Sequence, residues 1–168
     1  AIDFGNLDTT TETGFGNAAN NTRGLSMGRY SPGSGFGNEI KYVTMATTGN
    51  VADFGDLTVA RGSSACGSSN TRAICAAGST PGENNVIDYV TISTIGNATD
   101  FGDLTAAAKE VGALTSSTRF VRLGGRTDSS PNNTNVMDYV TIASTGNATD
   151  FGDLSAAKRD VAGISNSV

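Results

Sequence analysis

Carboxylates offer the first candidate chemistry in this chain. Asp53 and Asp56, Asp100 and Asp103, and Asp150 and Asp153 each frame the string Asp-Phe-Gly-Asp. Paired carboxylates can act as general acid and base in glycoside hydrolysis or ligate calcium through oxygen. Their spacing matches no helix–loop–helix calcium loop, and a catalytic pair is usually unique, whereas these recur. The plainer reading is that they cap turns by accepting backbone N–H groups. Cys66 and Cys75 are the second candidates. They lie on either side of the Ser68–Thr71 turn, so a hairpin there would set them face to face, as a disulfide or as two free thiols. The missing residue types weigh more. There is no His and no Trp. A Ser–His–Asp or Cys–His arrangement is therefore excluded, and the commonest metal ligand is absent. Two cysteines cannot build a four-ligand zinc site, and no Gly-rich loop ends in Gly-Lys-Ser or Gly-Lys-Thr. The expectation is a protein that is not an enzyme and needs no metal and no cofactor.

Composition narrows the partners. The chain has 168 residues, enough for about one domain. Its net charge is −5, and its 11 basic residues form no run. Phosphate binding needs clustered Lys and Arg, so nucleic acid is excluded as a partner. No stretch approaches the length of apolar sequence that spans a bilayer, which argues against membrane insertion. The start shows no basic region followed by an apolar one, so no signal peptide is visible, and the chain opens at Ala1 without an initiator Met, which predicts a processed, excised or partial chain. Hydrophobic residues make up only 37%, so burial must be used sparingly.

The elements that position these residues follow from an internal repeat. The string Asp-Phe-Gly-Xaa-Leu occurs at Asp3–Leu7, Asp53–Leu57, Asp100–Leu104 and Asp150–Leu154. Tyr-Val-Thr recurs from Tyr42, Tyr89 and Tyr139, Thr-Arg ends at Arg23, Arg72 and Arg119, and Gly-Asn begins at Gly49, Gly96 and Gly146. The single domain 1–168 thus divides into units 3–52, 53–99 and 100–149 and a partial unit 150–168. β-Branched and aromatic runs such as Tyr-Val-Thr-Ile-Ala-Ser predict strands. Val111–Leu114 and Val161–Ile164 predict further short strands. Ala106–Val111 has some helix propensity. Thr115–Thr118 reads as a hairpin turn. The fold expected is all-β, with four short antiparallel strands per repeat of about 47–50 residues, the period of a β-propeller blade. Each apolar side chain buried between units contributes roughly 1.5–3 kcal/mol. Phe4, Phe54, Phe101 and Phe151, with Tyr42, Tyr89 and Tyr139, are the expected structural core.

Gly124-Gly125, Asn135, Tyr139, Gly146-Asn147 and Phe151 follow one another in the order of the kelch-type propeller repeat, which the chain resembles along its whole length. Phe stands where that family usually has Trp. The wording of Asp138–Leu154 is similar to kelch-like repeats in virion structural proteins of tailed bacteriophages, marine and cyanobacterial ones especially. The resemblance implies a structural protein of a virion (a tail, fibre or baseplate-associated part) made in the host cytoplasm. It implies as partners other virion proteins or copies of the same chain. Three and a half units do not close a ring, so the chain would be a segment or subunit of a larger propeller or assembly. Assembly in a reducing cytosol favours free thiols at Cys66 and Cys75.

A second class of function stays open. The loops Arg29–Gly37, Ser79–Asn84 and Arg126–Thr134 vary most between units and would emerge on one face. Tyr30 and Phe36 could stack on a ligand there, with Arg126 and Asp128 as polar contacts. That would make an adhesin for a host-surface glycan or receptor; otherwise the loops are ordinary linkers. Arg23, Arg72 and Arg119 are expected to tie neighbouring units together through carbonyls or through a carboxylate such as Asp88 or Asp138. A copper-radical propeller enzyme is set aside because its ligands are imidazoles.

Overall fold

A computed structural model describes residues 2–7, 12–163 and 165–166 of the chain. It is all-β, with no helix among the described residues. Three antiparallel meanders follow one another along the chain. The first holds β1 (Gly16–Ala19), β2 (Arg23–Ser31), β3 (Gly35–Thr44) and β4 (Ala52–Asp56). The second holds β5 (Ala65–Ser68), β6 (Arg72–Ala76), β7 (Asn84–Thr91) and β8 (Thr99–Ala108). The third holds β9 (Gly112–Ser116), β10 (Arg119–Arg126), β11 (Asn133–Thr141) and β12 (Thr149–Asp153). A short strand, β13 (Ser165–Asn166), runs parallel to β9 at the far side of this third sheet.

Each turn into the second strand is tied by a small polar side chain. Asn20 Oδ1 accepts from Thr22 and Arg23 N–H, Ser69 Oγ from Thr71 and Arg72, and Ser116 Oγ from Thr118 and Arg119. These bonds fix the strand start at the repeated Thr-Arg. The fourth strand of every sheet carries the repeated Phe as a bulge. Ile40 pairs with Gly55 and Lys41 with Asp53, which leaves Phe54 unpaired; Phe101 and Phe151 are skipped in the same way. A bulge re-aims its side chain, and here the ring turns onto the third-strand tyrosine. Tyr42–Phe54, Tyr89–Phe101 and Tyr139–Phe151 meet edge to face, with centroids 5.9, 5.7 and 5.8 Å apart.

The core lies between sheets. Leu25, Met27, Ile40 and Phe54 of the first sheet pack on Ala73, Cys75, Val90 and Ile92 of the second. Ile74, Ile87 and Phe101 of the second pack on Phe120, Val140 and Ile142 of the third. Phe54 and Phe101 are 0% and 2% exposed.

Three expectations need correction. Phe4 and Phe151, expected in the core, are 42% and 47% exposed, because among the described residues no sheet packs over them as the second and third pack over Phe54 and Phe101. The helix tendency of Ala106–Val111 is overridden: β8 continues to Ala108, which pairs with Asn84. Residues 161–163 form no strand, and Ile164 lies outside the described residues.

Candidate functional site

The joints between sheets hold most of the organised polar chemistry. At each joint the Phe strand of one sheet meets the Gly-Asn turn of the next. Gly96 N–H donates to Phe54 O at 2.8 Å and Ala98 N–H to Asp56 O at 2.7 Å. Asn97 Oδ1 accepts the Asp56 N–H at 3.1 Å. The second joint repeats this with Gly146 and Phe101, Ala148 and Asp103, and Asn147 and Asp103. The glycine between Phe and Asp is required by close approach. A Cβ on Gly55 or Gly102, both at positive φ, would come within 2.5 or 2.6 Å of the facing backbone. The first-turn aspartates act as caps: Asp100 Oδ1 accepts Gly102 N–H, and Asp150 Oδ1 accepts Gly152 N–H, both at 3.1 Å. No group of three or more His, Cys, Asp or Glu is gathered for a metal among the described residues.

Arginines fasten the same joints. Arg23 lies 4.8 Å over the Tyr42 ring and donates to Ile92 O of the second sheet at 2.6 Å. Arg72 lies 4.7 Å over Tyr89 and donates to Ile142 O at 2.9 Å and Ala143 O at 3.0 Å. Stacking desolvates one side of the guanidinium and orients the other. Arg119 lies 4.6 Å over Tyr139. The carboxylates Asp88 and Asp138, expected as alternative partners of these arginines, are paired elsewhere.

Two fully buried ion pairs sit deeper in the sheets, and sequence reasoning missed their cations. Arg61 donates to Asp88 at 2.8 Å and to the carbonyls of Cys75 and Val86. Arg122 grips Asp138 in a fork, with bonds of 3.0 and 2.9 Å. Thr58, just past β4, and Thr105, within β8, each bond one of these carboxylates through N–H and hydroxyl. Both buried pairs are therefore hydrogen-bonded as well as charge-neutralised, the condition for tolerating them, although Arg61 Nε has no partner among the described residues. Burial pushes the Asp88 carboxyl above its ordinary value, against the opposing pull of Arg61 and Thr58. The available signal was a charged residue at an inward strand position: Arg122 falls on the face of Phe120 and Val140.

Cys66 and Cys75 are directly opposite in the β5–β6 ladder and are free thiols. Ser64 Oγ lies 3.3 Å from Cys75 Sγ. Burial raises both thiols. At Cys75 it is outweighed by the Cys66 thiol, Arg61 and Ser64, which bring it down to about 7. Cys66 is pushed well up, by burial first and by Cys75 next.

The variable loops form two separate groups. Tyr30 and Phe36 face each other across the β2–β3 hairpin, centroids 5.2 Å apart, with Tyr30 39% exposed. Beneath them Arg29 pairs with Glu12 and Glu39. The hydrogen bond from Arg29 holds Glu39 below the usual glutamate range. Arg126 pairs with Glu110 at 3.4 Å. Asp128 takes the Lys109 ammonium, which lowers its carboxyl, and its N–H donates to Glu83 Oε2 at 2.6 Å. Asp128 thus ties the third loop to the second through Glu83, Arg126 joins Glu110 in the connection between β8 and β9, and the ring pair lies on the first loop. An open apolar groove of about 540 Å³ runs from Val43, Met45 and Val51 of the first sheet to Cys66 of the second and Ala113 and Thr115 of the third. Comparison with family models and with curated proteins finds no match.

Proposed function

We propose that this chain is a rigid scaffold of a tailed-phage virion, a run of kelch-like propeller blades in a tail, fibre or baseplate-associated part. One observation carries the reading: the same fastening recurs at consecutive joints, with Phe carbonyl on Gly-Asn turn and stacked Arg on Ile carbonyl. A repeat that gains its burial only from its neighbours is suited to bearing load and extending an array. The four-strand meanders and the 47–50-residue period support this reading, since both suit a propeller blade. Its partners on this reading are other virion proteins or copies of itself, and catalysis has no part in it. Immunogold labelling with an antibody to the chain is expected to mark the tail or its appendages on purified particles. Labelling confined to the host-cell lysate would refute it.

The Tyr30–Phe36 pair favours a second reading, an adhesin for a host-surface glycan or receptor. Two apposed aromatic rings at a hairpin tip offer a stacking platform on the first loop, while Arg126 and Asp128 stand on the third. On a glycan array the protein would bind a defined sugar class, and Tyr30→Ala with Phe36→Ala would abolish it. A blank array leaves the scaffold alone.

A further inference from the structure

We propose that the outward face of the third sheet docks on the first sheet of a second copy of this chain, at a seat now held by the chain's own residues 3–7. The inference rests on the stacked-repeat reading and names the partner.

The seat is the Gly49-Asn50 turn. Gly49 N–H donates to Phe4 O at 2.7 Å, Val51 N–H to Asn6 O at 3.2 Å, and Asn6 N–H to Asn50 Oδ1 at 2.9 Å. These three bonds reproduce the two internal joints atom for atom. Residues 3–7 therefore occupy the place that the fourth strand of a preceding sheet holds at the other joints. Asp150–Leu154 has the same wording, Asp-Phe-Gly-Asp-Leu against Asp-Phe-Gly-Asn-Leu. Yet no Gly-Asn turn meets it among the described residues.

Three further features of the third sheet await a partner. A Cβ on Gly5, Gly55 or Gly102 would strike a facing turn, whereas one on Gly152 meets nothing within 4 Å. Arg119 is stacked on Tyr139 as Arg23 and Arg72 are on their tyrosines, but no carbonyl of a following sheet receives it among the described residues. Phe151 and Leu114 are 47% and 40% exposed. The first sheet offers the complement. Met45 stands where Ile92 and Ile142 receive the arginines, and with Val43 and Val51 it lines the apolar groove.

Docking is an exchange. Strand β12 of one copy replaces residues 3–7 on the turn of the other, and β13 gives way to the incoming β1. Residues 3–7 bring one ring to the seat. The third sheet brings Phe151 with Tyr139, Leu114 and Arg119, which is why it wins. The tethered segment competes at the high effective concentration of an intramolecular strand, so association rises with protein concentration. Because each copy carries both surfaces, the contact is head to tail, closing into a ring where the rotation per joint closes and extending into an array where it does not.

Sedimentation velocity of the full chain tests this. Asn6→Pro removes the N–H that binds Asn50 and is expected to strengthen self-association at least tenfold. Phe4→Ser, which leaves the backbone alone, is expected to act in the same direction if Asn6→Pro unsettles the fold. Adding Phe151→Asp to either returns the monomer, and an excess of a peptide of residues 1–8 disperses the arrays. Folding of each variant is checked by circular dichroism. Folded variants that associate no more than the parent overturn the proposal. So does association that survives Phe151→Asp, since it would use another surface. Either failure leaves the virion reading standing, because particle labelling decides that separately.

Discussion

In the second sheet Asp88 takes its guanidinium from Arg61, in the connection that precedes the sheet; in the third, Asp138 takes it from Arg122, its own cross-strand neighbour. The carboxylates are equivalent, and so are the threonines that cap them. The positions trade contents. Ala108 fills the place of Arg61, and Cys75, the neighbour of Asp88, fills the place of Arg122. In the first sheet the same two cross-strand positions hold Ser26 and Lys41. A repeat thus fixes where a buried charge sits and leaves free the direction from which it is neutralised. What matters is that one cation reaches each buried carboxylate, since an unpaired one costs far more than the pair returns.

The largest effect should come from emptying one of these sites. Arg122→Met leaves Asp138 buried against Thr105 alone and is expected to cost about 3–5 kcal/mol by urea unfolding. The comparison sharpens if the cation is moved instead of removed. Arg122→Cys with Ala108→Arg rebuilds the second sheet's arrangement in the third and should recover most of that loss. A double variant no more stable than Arg122→Cys alone would show that the sites are not interchangeable.

The sheets differ next in what covers their Phe. Phe101 is enclosed by the third sheet and Phe151 is half exposed. Phe101→Ala should cost about 3–5 kcal/mol, and Phe151→Ala about 1 kcal/mol in proportion to its smaller burial. Equal costs in thermal or urea unfolding would break the contrast and mean that Phe151 is covered in solution.

The repeat strings were legible because they serve backbone geometry. Phe at the bulge, Gly at the close approach and Asn at the turn each meet a constraint that every joint shares, so each recurs. Arg61, Arg122 and Ser64 were not legible, because each belongs to one sheet and no period announces it. Reading Arg23 and Arg72 as ties to neighbouring carbonyls succeeded, for a repeated cation at a strand start has a repeated acceptor. The two Phe at the ends misled for the same reason that the inner two did not: identical wording says nothing about whether a neighbour is present. The four loop residues Tyr30, Phe36, Arg126 and Asp128 were read from variability alone, and the folding of the chain divides them between two loop groups.

The smallest and most local difference is a proton. Where the third sheet has Ala113 and Arg122, the second has Cys66 and Cys75, facing each other beside Arg61. Burial opposes ionisation of both thiols, but one thiolate can be held by the other's S–H, by Ser64 and by the guanidinium's charge, so Cys75 titrates at about 7 while Cys66 keeps its proton. Thiolate ultraviolet absorbance should therefore appear with a midpoint near 7. Cys75→Ser should remove it, and Cys66→Ala should move it up by deleting a donor. The unfolded chain releases the same proton near the ordinary thiol value of about 8.5. Native Cys75 is thus ionised first, and its contribution to stability is full above the unfolded value and lost as pH falls through about 7. Melting temperature should rise with pH across that interval in the parent, and the rise should flatten in Cys75→Ser. An unchanged slope would mean that the thiol pair leaves the second sheet's stability no more pH-dependent than the third's.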